Sequence, residues 1–266
     1  MTAGRIDFLC VGAQKAGTTT LRSYLRIHPQ LALPDHEPHL FDRDQRDWSD
    51  ALQTALDAYV SSSQIPAEVS DGSRAPASRL MLWGEVTPIY LYWQPCPQRI
   101  HRHNPAMKLI VLLRNPVARA YSHWSMELNR GAERLSFSDA IRAESMRLQV
   151  WPEAQHRVIS YLDRGRYHTQ LLRYLQLFDR RQLLLLPSED FYRSPQSSLA
   201  AITDFLGIEP WPEFSRQHER QGDYTSALSL DDWHYAYAAL ADDIDRLEQL
   251  LGWDCSAWKQ PWPGLA

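Results

Sequence analysis

Cysteine, a charge surplus of either sign, and long apolar runs are all scarce in this 266-residue chain. The three cysteines, Cys10, Cys96 and Cys255, are odd in number, far apart and without a CxxC pair. They read as free thiols of a reducing compartment, which places the chain in the cytoplasm. No Cys/His cluster has metal-ligand spacing, so no metal is expected. The net charge is only −4, which argues against a general nucleic-acid or membrane-surface binder and leaves any basic function local. No apolar run approaches the roughly 20 residues that span a bilayer. The start, MTAGRIDFLCVG, carries one arginine and a short apolar run leading into a glycine turn, and reads as a first strand rather than a signal peptide.

What is present is a regular alternation. Residues 6–12, 81–87, 108–113 and 182–186 are apolar runs of strand length, and 31–33 is a shorter one. Helical spacing or end signals mark 18–27, 45–60, 97–103, 117–129 after Pro116, 136–149, 166–178, 195–206 and 229–251. Ser136 and Ser229 are in N-cap positions, and Gly207 and Gly252 in C-terminal stop positions. Residues 61–79, rich in Ser, Pro and Ala, read as a surface loop. Strands alternating with helices predict an α/β fold. The expectation is a single domain over 1–266, with a P-loop-like parallel sheet of four to five strands and helices on both sides.

Two stretches carry chemistry. The first strand runs into Gly12-Ala-Gln-Lys15-Ala16-Gly17-Thr18-Thr19 and then a helix. Backbone N–H groups at such a helix start face an anion, and the helix dipole favours it. A triphosphate-binding loop would carry its lysine directly after the second glycine; here Thr18 stands there and the lysine lies three positions earlier. A lysine inside the loop reaches a bridging oxygen near a 5′-phosphate. The second stretch is KLIVLLRNPVARAYSHW, 108–124. Arg114 sits where a buried strand ends, the place where open α/β sheets bind ligands, and Ser122 lies about two helical turns further on. A guanidinium and a hydroxyl together suit a second phosphate. Taken singly, each stretch is also compatible with a solvated lysine in a glycine turn or an arginine paired with a surface carboxylate. Arg130, Arg164 and Arg166 read as local positive charge or solvated faces, and His123 as a surface or packing residue.

QKAGTTTL (14–21) resembles the 5′-phosphosulfate loop of the sulfotransferases that use 3′-phosphoadenosine 5′-phosphosulfate (PAPS). LIVLLRNPVARAYSHW (109–124) resembles their 3′-phosphate motif. EVTPIY (85–90) is similar to the EKTPxY segment of the Golgi heparan sulfate sulfotransferases, and HEPHLFD (36–42) to their E-x-H-F-F-D segment. LEQLLGWDCSAW (247–258) is similar to the tail of many bacterial members. The resemblance implies sulfuryl transfer from PAPS to an acceptor hydroxyl without a metal, releasing adenosine 3′,5′-bisphosphate (PAP). Lys15 would stabilise the leaving group. Ala16, Gly17, Thr18 and Thr19 would cradle the 5′-phosphate, and Arg114 and Ser122 would hold the 3′-phosphate. Glu37 would be the general base, with His39 and Asp42 supporting it or orienting the acceptor; Asp42 could equally cap the helix at 45–60, and His36 is an alternative base.

Arg220, Gln221 and Gly222 would correspond to a late cofactor-clamping loop, although Asp223 departs from the family pattern. Val86 stands where the heparan sulfate enzymes carry a lysine, which argues against a heavily anionic polysaccharide. Tyr90, Tyr92 and Trp93 form either an aromatic acceptor wall or ordinary core. The expected partner is a small-molecule or carbohydrate acceptor, with monomer and homodimer both open. The other classes weighed are a P-loop-type nucleotide kinase, which would need magnesium, and a non-catalytic nucleotide-binding module.

Overall fold

The computed structural model describes residues 6–43, 81–211 and 228–261. The expected helix at 45–60 and the loops at 61–79 and 218–224 lie outside them, as do Arg220, Gln221 and Gly222. In chain order the strands are β1 (Phe8–Gly12), β2 (Leu31–Ala32), β3 (Leu82–Val86), β4 (Lys108–Leu113) and β5 (Leu183–Pro187). The α-helices are α1 (Thr18–Arg26), α2 (Cys96–His103), α3 (Pro116–Asn129), α4 (Phe137–Leu148), α5 (Tyr167–Leu175), α6 (Ser188–Arg193), α7 (Pro195–Leu206) and α8 (Leu230–Leu251). The sequence signals account for all of these except α6, whose six residues are too short to show a period. The expected helix at 166–178 is shorter than its apolar spacing implied.

The described residues group into two compact units. The first holds 6–13, 17–43, 81–112 and 175–211. Its centre is a five-stranded parallel sheet in the order β2-β3-β1-β4-β5. β1 pairs in parallel with β3 on one side, Leu9 opposite Glu85, and with β4 on the other, Leu9 opposite Leu109. All five residues of β1 are buried. A continuous apolar strand of this kind belongs in the middle of a sheet covered on both faces. Gly84 of β3 is required by its neighbour, since a Cβ there would lie 1.9 Å from the Phe8 ring. α7 closes at Gly207, which takes the left-handed conformation at φ 74°.

The second unit holds 14–16, 113–174 and 228–261 and is helical. α8 starts at Ser229, whose hydroxyl accepts the Asp232 N–H at 3.1 Å, and stops at Gly252 with φ 66°. It buries Trp233, Ala236, Leu240, Ile244 and Leu247, and also Asp243. That carboxylate accepts the N–H groups of His168 and Thr169 and the Thr169 hydroxyl, at 2.9–3.2 Å. It thus caps the first turn of α5 from another helix, an arrangement no local sequence signal announces. α4 begins at Ser136, whose hydroxyl accepts the Asp139 N–H.

Candidate active site

The glycine turn leaves the carboxyl end of β1, and Arg114 follows the carboxyl end of β4, the strand paired with β1. Both motifs read as phosphate-binding therefore emerge from neighbouring strand ends, where α/β sheets place ligands.

In the second unit, Lys15 takes a left-handed backbone with φ 72°. Its carbonyl accepts a bond from the Arg114 guanidinium at 3.1 Å, and the Arg114 carbonyl in turn accepts the Tyr167 hydroxyl at 2.9 Å. The preceding residue, Gln14, accepts through Oε1 from Arg164. Arg164 is 1% exposed, so it is not a solvated cation. It also donates to the carbonyls of His156 and Arg157 and to the Ser160 hydroxyl. The segment that carries Arg164 is stitched by buried charge. Arg119 donates to the Tyr161 carbonyl, Glu144 accepts the N–H groups of Leu162 and Asp163 at 2.7 Å each, and the Tyr161 hydroxyl donates to Glu133 at 2.9 Å.

Ser122 lies buried on α3 beside fully buried Arg119 and His123. Burial first, then the charges of Arg164, Arg119, Lys15 and Arg130, hold the His123 imidazole well below its ordinary range, so it is neutral. The same crowd of cations marks this region as locally positive in a chain whose net charge is −4. Glu127, 3.6 Å from His123 Nε2, is pushed up by burial.

In the first unit, α1 starts at Gly17, left-handed at φ 94°, with no side-chain cap on its first turn. A Cβ at Gly17 would lie 2.7 Å from the Tyr192 hydroxyl, so residue type here is set by both conformation and space. Thr18 is buried and Thr19 exposed. Downstream, His39 Nδ1 lies 2.9 Å from Asp42 Oδ2 and His39 Nε2 lies 3.7 Å from Glu37 Oε2. The imidazole thus stands between two carboxylates, one fully buried and one partly exposed. Asp42 pairs with His39; the helix at 45–60 that it could have capped lies outside the described residues. The Glu37 charge also adds to the burial that raises the Cys10 thiol to about 12, so that thiol is inert at neutral pH.

Tyr90 is fully buried. Its hydroxyl donates to Glu85 and accepts the N–H groups of Leu40 at 2.6 Å and Phe41 at 3.3 Å. That places Tyr90 inside the protein, where its ring packs edge-on against Phe41, rather than on an acceptor wall. Trp93 remains partly exposed. Glu85, on the adjacent strand, also accepts the Thr87 hydroxyl at 2.7 Å. Sequence reasoning gave Glu85 no role of its own and left Arg164 between local positive charge and a solvated face. The one available signal was a charged residue inside an otherwise apolar strand, LWGEV. Among the described residues no group of three or more His, Cys, Asp or Glu side chains could hold a metal, and no helix is long and apolar enough to cross a membrane.

The comparisons with known proteins agree on one family. The sulfotransferase domain model matches residues 5–229. Human heparan sulfate glucosamine 3-O-sulfotransferase 6 is 31% identical over 201 residues, covering 76% of this chain and 52% of that protein. Human bifunctional heparan sulfate N-deacetylase/N-sulfotransferase 2 is 29% identical over 212 residues, covering 79% of this chain and 23% of that protein. The chain therefore spans about a quarter to a half of the length of these curated relatives. A sulfotransferase from Alicyclobacillus acidocaldarius superposes with a TM-score of 0.75 at 27% identity, over 96% of this chain and 99% of that one. With the glycine turn, the strand-end arginine and the carboxylate–imidazole loop all in the matched region, this chain belongs to the sulfotransferase domain family.

Proposed function

We propose that the chain is a sulfotransferase domain over 1–266 that transfers a sulfuryl group from PAPS to a hydroxyl of a small molecule or sugar. The observation that supports this most directly is the bond from Arg114 to the Lys15 carbonyl, which ties the two phosphate-reading motifs together within one unit. The residues fit a donor with several negative charges. Lys15, Arg114, Arg119 and Arg164 concentrate positive charge around the loop, and the first turn of α1 has amides that no side chain caps.

Lys15, the amides of Ala16 to Thr19 and the Thr18 and Thr19 hydroxyls would hold the 5′ end, and Arg114 and Ser122 the 3′-phosphate. When bound, the donor supplies the activated sulfuryl group. Glu37 takes the proton of the acceptor hydroxyl as its oxygen bonds to sulfur. Asp42 fixes the orientation of His39, and His39 keeps Glu37 aimed. Lys15 offsets the charge left on the bridging oxygen as the sulfur–oxygen bond breaks. Positioning and electrostatics carry such an in-line transfer. Arg220, Gln221 and Gly222 would help to bind the nucleotide. The enzyme would work in the cytoplasm of a bacterium, and Val86 favours an acceptor of low charge density.

Thermal denaturation with PAP tests the reading, followed by radiolabelled PAPS against a panel of hydroxyl acceptors. Ligand at a hundred times its Kd adds about 2.7 kcal/mol of stability, so Tm rises measurably. An unchanged Tm at millimolar PAP refutes the proposal. A shift with ATP and magnesium but not with PAP would favour a kinase instead, and PAP binding without turnover on any acceptor would favour a binding module.

A further inference from the structure

We propose that Glu85 is a positioning residue for sulfuryl transfer: through the Tyr90 hydroxyl it fixes the backbone at Leu40 and Phe41, and so holds His39 between Asp42 and Glu37. This inference rests on the sulfotransferase reading for its catalytic half, and on geometry alone for its structural half.

Glu85 is 0% exposed on β3, opposite Leu9 of the central strand. A carboxylate there loses its hydration, and an apolar residue would pack more cheaply. What it does in return is specific. Its Oε1 accepts two hydroxyls, from Thr87 and Tyr90. A tyrosine oxygen has one proton to give and two lone pairs to offer. At Tyr90 both lone pairs are taken, by the N–H groups of Leu40 and Phe41. The proton therefore has one destination, Glu85, and the four groups form a directed chain from the sheet to the loop. Phenylalanine at position 90 would fill the same space and remove the hydroxyl that accepts both amides.

The loop needs such an anchor. Residues 33–43 form no helix or strand, and His39 holds a left-handed backbone at φ 55°, which costs a non-glycine residue free energy. Other ties hold the loop as well: the Phe41 carbonyl accepts Arg99 at 2.9 Å and the Cys96 thiol at 3.5 Å, and Pro38 O accepts Arg43 at 3.2 Å. The Tyr90 hydroxyl reaches the two amides directly after His39. The charges facing Glu85 belong to the same assembly. Burial, and then the neighbouring Asp42, raise its carboxyl to about 7, against the lowering effect of Tyr90, Thr87 and His39. Glu85 itself cannot be the base, because no part of it reaches solvent.

The test uses the full chain labelled with 15N-histidine. A His39 Nδ1–H bonded to Asp42 gives a slowly exchanging resonance. Tyr90→Phe is expected to speed its exchange at least about tenfold, and Glu85→Leu likewise, while Glu85→Gln, whose Oε1 still accepts both hydroxyls, restores most of the protection. With PAPS as donor and water or the best panel hydroxyl as acceptor, Tyr90→Phe lowers kcat about tenfold to a hundredfold and leaves the KM for PAPS and the PAP-induced Tm shift unchanged. In a Glu37→Gln background it adds no further loss. An unaltered His39 resonance in Tyr90→Phe, or a kcat loss that multiplies with that of Glu37→Gln, overturns the proposal. A wild-type protein that PAP does not stabilise overturns the sulfotransferase reading instead, and the His39 resonance then decides the clamp by itself.

Discussion

Removing Arg114 should take away most of the ability to tell PAP from adenosine 5′-monophosphate, which differs by the 3′-phosphate alone. The guanidinium holds the Lys15 carbonyl through Nη1, and a planar fork can meet a phosphate at the same time. A hydrogen bond to a charged group contributes about 1.5–3 kcal/mol. Arg114 and Ser122 together should therefore favour PAP by roughly 3 kcal/mol, or about a hundredfold in Kd. Arg114→Ala removes most of that. It also releases the Lys15 carbonyl, so the monophosphate weakens too, by about 1 kcal/mol, or roughly fivefold. Isothermal titration of both nucleotides against both proteins measures all four constants. The expected pattern is a large preference in the wild type that collapses to a few-fold in the variant, with the smaller loss shared by both ligands. A variant that keeps a preference near a hundredfold would place the 3′-phosphate elsewhere and refute the assignment.

Glu37→Gln should leave the PAP-induced Tm shift intact while cutting kcat by about a hundredfold or more; unchanged turnover moves the base to His36 or His39. Glu133 has an opposite pH effect to Glu85 and Glu144. Burial would raise Glu133, but Arg147, two amides and Tyr161 hold it at about 2, so its stabilisation is complete above 4.5 and lost as pH falls towards 2. Arg147→Met should therefore flatten the acid limb of a urea-denaturation series, and an unchanged limb would refute the pairing. Glu85 and Glu144 are raised to about 7 by burial, so their contribution is complete below 4.5 and fades as pH rises through 7. Glu144→Gln should reduce the decline in unfolding free energy between pH 5 and 8, whereas an equal slope would count against it. Gly84→Ala would drive a methyl into the Phe8 ring and should cost about 1–3 kcal/mol, read as a lower urea midpoint; a neutral result would mean the strand pair can spread.

Elements with a local cause were legible in the sequence. The unbroken apolar run of β1 gave a central strand, Ser136 and Ser229 capped the helices they were expected to cap, and Gly207 and Gly252 ended theirs. The lysine's early place in the turn and the arginine at a strand end were readable because each follows a buried strand directly. What escaped depends on partners distant in sequence. Arg164 is separated from Gln14 by 150 positions, and a run such as LDRGRY gives no hint that its first arginine is buried. Tyr90 was visible as an aromatic residue near the acceptor segment. That its hydroxyl turns inward depends on Glu85 and two amides 49 and 50 positions away, which decides for the core between the two readings that the sequence left open. The short α6 escaped because six residues cannot display a period.

The two helices that follow the motif strands begin differently. α3 brings its own terminator: the Asn115 side chain accepts the N–H groups of Val117 and Ala118 at 3.0 and 3.1 Å. α1 starts at Gly17 with no such group. A helix start finished by a side chain keeps its first turn wound at all times, whereas one finished by a phosphate winds only as tightly as the phosphate is held. The cap is worth about 0.5–2 kcal/mol, so the amides of Thr18 to Thr20 should exchange their hydrogens more slowly as nucleotide is added, while those of Val117 and Ala118 stay constant. The opening turn of α1 would then act as a gauge of 5′-phosphate occupancy, calibrated internally by the opening turn of α3.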